Sequence, residues 1–165
     1  MTNNVTMARQ TGVDDLDARL ISLFTTEPHV GVLGASRTLG VARGTVQARL
    51  DKLQARGILT GFGPDLDLRA MGYDVLAFTT LEIVQGRLQD VVEHLRDIPE
   101  VLEAHATTGP GDLHCRVVAR TNDHLQHVIN RMLEVQGIAR TSTVIALSEQ
   151  IGMRVLPLVE STAAR

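Results

Sequence analysis

The chain has no tryptophan, one tyrosine and three phenylalanines in 165 residues, so its cores must be filled by aliphatic side chains. A single cysteine, Cys115, excludes an internal disulfide and fits a reducing compartment. No apolar run approaches the roughly 20 residues that span a bilayer. Met1–Gln10 lacks a hydrophobic signal core, and the expectation is a soluble cytoplasmic protein with no membrane partner. Also missing are a Gly-x-Ser-x-Gly elbow, a phosphate loop and a close carboxylate pair in an apolar setting. No catalytic residue stands out, and a non-enzymatic role is expected.

Strong net charge is absent too. The overall value of −3 conceals an asymmetry. Met1–Thr60 holds seven basic and five acidic residues, whereas Gly61–Arg165 holds nine basic and fourteen acidic ones. A mildly basic front and an acidic back imply two modules with different partners.

What is present is organised around Gly40–Ile58. Val46, Leu50 and Leu53 recur at i, i+4, i+7 and mark the buried face of a helix. Thr45, Arg49, Lys52 and Arg56 form a stripe beside it that contains no acid, and phosphate is the natural partner of such a row. Arg43, Gly44 and Gln47 lie near the N-terminal end, where a recognition helix meets base edges. Gly57 stops the helix. Alone, this is equally a surface helix with a solvated basic edge. Val32–Leu39 ahead of it forms a short helix, and Gly40-Val41 makes a tight turn, which completes a helix-turn-helix pattern. Ala42 stands where Ser or Thr would cap the helix, and Gly34 sits inside the short one.

Upstream, Met1–Val13 is polar and expected to be mobile. Asp14 and Asp15 are suited to start a helix whose apolar face is Leu16, Leu20, Ile21, Leu23 and Phe24, with Pro28 ending it. Ile58–Phe62 is expected to form a short hairpin wing. The boundaries read as a winged helix-turn-helix domain over 1–60, a linker over 61–72 around Gly63-Pro64-Asp65, a second domain over 73–151 and a tail over 152–165.

In the second domain the period changes. Tyr73–Ile83 alternates as a strand with apolar groups on both faces. A helix follows over Leu88–Asp97, then strands over Val101–Thr108 and Leu113–Ala119. A second helix carries Leu125, Val128, Ile129 and Met132, and the last strand is expected over Thr141–Ile151. Strand-helix-strand, twice over, predicts a ferredoxin-like βαββαβ sandwich with both helices on one face, which makes the chain α+β. Leu76, Phe78, Val118, Ile145 and Leu147 are assigned to the other face. That face is too apolar for water; a homodimer packing through it is expected, the alternative being cover by the N-terminal domain.

These residues, in this order and spacing, resemble the Lrp/AsnC family, the leucine-responsive or feast/famine transcription regulators, from Asp14 to about Gln150. The likeness rests on Asp15-Leu16-Asp17, Leu39-Gly40-Val41, Thr45-Val46, Arg49-Leu50-Asp51-Lys52-Leu53 and Gly57-Ile58-Leu59-Thr60-Gly61-Phe62. In the second half it rests on Thr108-Gly109-Pro110-Gly111-Asp112, which matches the family's Gly-x-x-Asp turn, and on Arg140-Thr141-Ser142-Thr143. The resemblance implies a winged helix-turn-helix that binds double-stranded DNA, and a ferredoxin-like domain that senses an amino acid. It also implies dimers that assemble further, often to octamers, with the effector between dimers. The implied effector-binding residues are Gly109, Gly111 and Asp112, with Thr141 and Thr143 added by position; no cofactor is implied. The chemistry agrees: Asp112 suits an ammonium, and a Gly-rich turn offers N–H groups to a carboxylate. The alternative is a plain hairpin turn.

For DNA, the expected base contacts are Arg43, Thr45 and Gln47, and the expected phosphate contacts are Arg37, Arg49, Lys52 and Arg56. Two other readings remain: an architectural nucleoid protein, or an enzyme like the sirohaem decarboxylases, which resemble this family and would recruit His105, His114 and Arg116. His124 and His127 have a chelating i, i+3 spacing but no recognised partner set, so no metal site is expected.

Overall fold

The computed structural model describes residues 12–163, so the mobile arm expected over Met1–Val13 lies outside the described residues except at its end. The elements are α1 (Asp15–Thr26), α2 (Gly31–Leu39), α3 (Arg43–Ala55), β1 (Val75–Ile83), α4 (Leu88–Arg96), β2 (Val101–Ala106), β3 (Leu113–Ala119), α5 (Asn122–Met132), β4 (Ile138–Ile145) and α6 (Leu156–Ala163). They form two compact units. The first takes the chain up to Pro64 and again from Gly152, and the second takes Asp65–Ile151. No helix among the described residues is long and apolar enough to cross a membrane.

The first unit is a helical cluster around Leu20, Leu23, Ala35, Val46 and Leu50, with Leu53 also fully buried. Burying side chains of this size contributes about 1.5–3 kcal/mol each. α1 opens with a reciprocal cap: the Asp17 N–H donates to the Asp14 carboxylate at 2.9 Å, and the Asp14 N–H donates to Asp17. Both carboxylates also accept from the Arg49 guanidinium of α3, Asp17 at 3.1 Å. Asp17 is almost wholly buried. The hairpin wing is not there. The residues between α3 and β1 pair with no strand, because Gly57, Gly61, Gly63 and Pro64 interrupt any run long enough for a ladder. Phe62 instead packs edge-on against Phe24 of α1, with ring centroids 5.5 Å apart. Within the tail assigned to 152–165, to which no element was given, 156–163 is helical and packs on α1.

The second unit is the βαββαβ arrangement, with sheet order β2-β3-β1-β4 and every neighbour antiparallel. Ala77, Leu81, Leu113, Cys115 and Val117 share one face and bury against Val91 and Leu95 of α4 and Val128 and Met132 of α5. Cys115 lies in that core, and burial pushes its thiol up to about 11, so it stays protonated and unreactive. β4 begins at Ile138 rather than Thr141 and stops at Ile145 rather than Ile151. Its partner β1 starts at Val75, and the last bond of the ladder runs from the Ala146 N–H to the Leu76 carbonyl. Ile145 also changes sides. It stands opposite Ala77, on the helix-covered face, and Val144 opposite Phe78 takes its place on the open face.

The turn between β2 and β3 folds back onto β1. The Asp112 N–H donates to the Leu81 carbonyl at 2.8 Å, and the Thr107 N–H donates to the Asp112 carbonyl at 3.0 Å. Gly111, at φ +101°, lies so close that a Cβ there would stand 2.3 Å from Thr80 Cγ2. Gly109, at φ +107°, has open space around it.

Three outcomes follow from this packing. Gly111→Ala should cost about 2–4 kcal/mol, through overpacking and a disfavoured φ, whereas Gly109→Ala should cost only about 1–2 kcal/mol; urea titration of the two variants separates them. Arg49→Met strands the buried Asp17 carboxylate and should lower the first unit's stability by about 2–3 kcal/mol in the same assay. The Asp14 carboxyl is held below its ordinary pKa, first by the Asp17 N–H and then by Arg49. Its stabilisation is therefore complete above the unfolded value of about 3.9 and drains as pH falls through the lower folded value. Asp14→Asn keeps the cap and should flatten the acid limb of the stability profile below about pH 4, which melts across the acid range would detect.

Candidate DNA interface and effector site

The turn before α3 is built by Gly40 and Ser36. Gly40 takes the left-handed conformation (φ +67°) that closes α2, and the Ser36 hydroxyl donates to the Val41 carbonyl at 2.7 Å. Nothing in the residue pattern had marked Ser36. Ala42 precedes α3 with extended backbone, and its side chain cannot cap. The first N–H groups of α3 thus lack a side-chain acceptor from Ala42, which is the condition under which a helix start receives an outside anion.

The seven residues expected at DNA separate into two sets. Arg37, Arg43, Thr45 and Lys52 are exposed, and no ion pair holds the three cations among the described residues. The other three are engaged within the unit. Arg49 does not belong to an open phosphate row: Asp14 and Asp17, at the start of α1, clamp it, and its hydrogen bonds to Asp14 and then to Asp17 raise its pKa further. Arg56 donates to the Gly12 carbonyl at 2.9 Å. Gln47 donates to Asp51 at 2.8 Å, one turn along its own helix. At about 100° per residue, Gln47 also lies roughly 140–160° from Thr45 and Lys52, so no single flank of α3 presents all of them. The stripe was acid-free along α3; the acids came from another helix.

In the second unit, the Asp112 carboxylate accepts the Ile83 N–H at 2.6 Å through one oxygen, at the end of β1. A cavity of about 290 Å³ meets the same turn at Pro110 and is lined also by Thr80, Glu82, Arg140, Thr141 and Ser142; of the expected effector residues only Thr141 lines it, and Gly109, Gly111, Asp112 and Thr143 do not. Glu82 and Arg140 face each other across the ladder at 3.9 Å. They bring a carboxylate and a guanidinium to the cavity, and sequence reasoning passed over both, since only the β1–β4 register puts them together. Gly111 contributes differently from expectation: its missing Cβ makes room for Thr80, not for a ligand. Thr143 is diverted as well. Its hydroxyl hydrogen-bonds Thr79 at 3.0 Å on the helix-covered face. Thr141 stands opposite Leu81, and its hydroxyl is buried with no hydrogen-bond partner among the described residues.

The remaining polar residues lie elsewhere. His114 stacks on Phe78 at 5.7 Å and bonds Thr80 through Nδ1 at 3.1 Å. Arg116 and His105 both approach Glu103, at 3.6 Å and 3.5 Å. These groups share the open sheet face with Leu76, Val118 and Val144. His124 accepts from the Arg120 N–H and approaches Glu100 at 3.4 Å, while His127 is exposed. Among the described residues, no three His, Cys, Asp or Glu side chains are grouped to hold a metal.

Comparison with known proteins places this geometry. Residues 76–156 match the Lrp/AsnC ligand binding domain. The regulatory protein AsnC of Escherichia coli K12 is 29% identical over 147 residues, covering 88% of this chain and 97% of its own. The HTH-type transcriptional regulator FL11 of Pyrococcus furiosus is 26% identical over 135 residues, covering 82% of this chain and 89% of its own. Among solved structures, E. coli AsnC superposes with a TM-score of 0.81 at 28% identity, over 88% of this chain and 99% of that one. A feast or famine regulatory protein of M. tuberculosis, complexed with L-methionine, has the same fold, with a TM-score of 0.76 at 21% identity over 87% of this chain and 97% of that one. With its helix-turn-helix unit, its βαββαβ sheet and the ligand-binding match spanning that sheet, the chain belongs to the Lrp/AsnC family of transcriptional regulators.

Proposed function

We propose that the chain is a DNA-binding transcriptional regulator, acting in the cytoplasm, whose second unit takes an amino acid or a related small zwitterion. The DNA reading is carried by one observation: Arg37, Arg43 and Lys52 stand exposed, with no ion pair among the described residues, around a helix-turn-helix whose other cations are engaged. α3 enters the major groove. Arg43 and Thr45, at its start, meet base edges, while Lys52 and Arg37 meet phosphate. Arg49 serves by fixing α3 on α1. Gln47 reaches a base only by exchanging its bond to Asp51. Relatives that align across both units are named an HTH-type transcriptional regulator and a regulatory protein, which supports a regulator over an enzyme.

The effector reading is supported by the ligand-binding family match and by the cavity beside the turn. Asp112 would receive the ammonium, and Arg140 with the N–H groups near Gly109 the carboxylate; Glu82 and Thr141 form part of the wall. Thr143 and Gly111 support this arrangement from behind. The open sheet face, with Leu76, Phe78, Val118 and Val144, favours a homodimer through the sheet, and dimers of this kind would assemble to an octamer with the effector between them. A nucleoid-type architectural protein would share the DNA surface. It would bind mixed sequences nearly as well as any selected site.

Lys52→Ala should weaken binding to all duplexes and lower the slope of log K against log salt by about one, with no loss of stability; an unchanged slope removes Lys52 from the phosphate set. A thermal-shift screen against the twenty amino acids should find a ligand worth about 2.7 kcal/mol at hundredfold excess over its dissociation constant. Asp112→Asn keeps an acceptor for the Ile83 N–H but loses the charge. It should abolish that shift while DNA binding persists, and a normal response would move the site away from the turn.

A further inference from the structure

The family match ends at residue 156, and the helix that follows packs on the opposite end of the sequence. α6 belongs to the first unit, so the chain leaves that unit once, at Pro64, and returns to it at Gly152. The ligand-binding unit is in this sense an insertion, with both of its ends tied to the unit that carries the reading helix.

The side of α1 that receives α6 is set by its sequence. Leu20 and Leu23 face the core, while Asp15, Arg19, Ser22 and Thr26 recur on another flank at helical spacing. α6 lies along that flank with Leu156 and Val159, three residues apart, half-buried, and with Leu158 left 66% exposed. Contact is incomplete: a cavity of about 410 Å³ remains between the helices, bounded by Ser22, Thr26 and Leu23 of α1 and by Glu160 of α6. α6 lies close along α1 but has no described side chain fully buried, so side-chain packing holds it less than it holds α1, α2 and α3, and it can leave its seat. α1 is also the helix whose Asp14 and Asp17 clamp Arg49 of α3. α1 therefore stands between α6 and the reading helix. At its other end α6 is joined through residues 146–155 to β4, the strand that carries Arg140 and Thr141 of the effector cavity.

We propose that α6 is a latch on the DNA-reading unit. Docked along α1, it keeps the Asp14–Asp17–Arg49 clamp closed and α3 poised for DNA; released, it lets α1 and α3 loosen. Because the latch hangs from β4, the state of the ligand-binding unit sets how often it is docked. This deepens the regulator reading and rests on it for its DNA consequence, but the latch itself is testable without an effector.

Truncation after Ile151 removes α6 and leaves 65–151 intact. Its affinity for a mixed-sequence duplex at low salt should fall about tenfold, a coupling of ordinary size. Amide exchange should quicken in α1 and α3 and stay unchanged in β1 and β3. A second protein ties the latch shut: Ser22→Cys with Glu160→Cys, bridged by a short bismaleimide, a reaction in which buried Cys115 does not compete. The bridged protein should bind the duplex at least as tightly as the parent and exchange more slowly in α1. Wild-type affinity and wild-type α3 exchange in the truncated chain would overturn the latch. Should truncation unfold the chain, Val159→Asp undocks α6 in the full-length protein and is judged by the same two readings. If the parent itself binds no duplex, the DNA reading fails, and the exchange rates of α1 and α3 decide the latch alone.

Discussion

The second unit depends on the two-residue alternation of β1. That strand is paired on both sides, with β3 and with β4, so the side each of its residues takes fixes the side of its neighbours. Ala77, Thr79 and Leu81 are fully buried under the two helices. Leu76, Phe78, Thr80 and Glu82 must then face away, and with them His114, Arg116, Val144 and Arg140. A slip of one residue would exchange the whole set. The cavity, the Glu82–Arg140 pair and the apolar face opposite α4 and α5 all follow from that register.

The first unit depends on a charge interaction in place of a sheet. Its helices are short, and the α3 cap is missing its usual side chain. The Arg49 clamp compensates by joining the start of α1 to the middle of α3. It uses the carboxylates that already cap α1, so one pair of side chains starts one helix and positions another. A basic stripe on a helix is thus an incomplete guide to what it binds, since a buried acid elsewhere in the chain competes with phosphate for each member. Lys52 and Arg49 are close on the helical wheel and have different fates for this reason.

Much of this architecture was legible beforehand. The periods of β1, α3, α4 and α5, the Gly40 turn and the 107–112 turn all announce themselves locally, because helix and strand periodicity is written in neighbouring residues. The wing was overread, since β-branched and aromatic residues at 58–62 promise a strand only when a partner exists. β4 was placed too late, and Ile145 on the wrong face, because a strand's limits come from the strand it pairs with. α6 was missed altogether. Leu156, Val159 and their polar neighbours have too little amphipathic pattern to declare a helix without the surface of α1 beneath them.

By itself the sequence determined the element types, their order, the aliphatic cores, the helix-turn-helix and the family. Each of these depends on residue identity and on spacings of a few positions. Tertiary structure decided which cations of the helix-turn-helix stay exposed, which face of the sheet the helices α4 and α5 leave, which residues border the cavity near the 107–112 turn, and where α6 rests. Those outcomes turn on groups brought together from distant positions: Arg49 with Asp17, Glu82 with Arg140, Gly111 with Thr80, α6 with α1. A side chain's partner is set by distance in space, and nothing local in a sequence carries that distance.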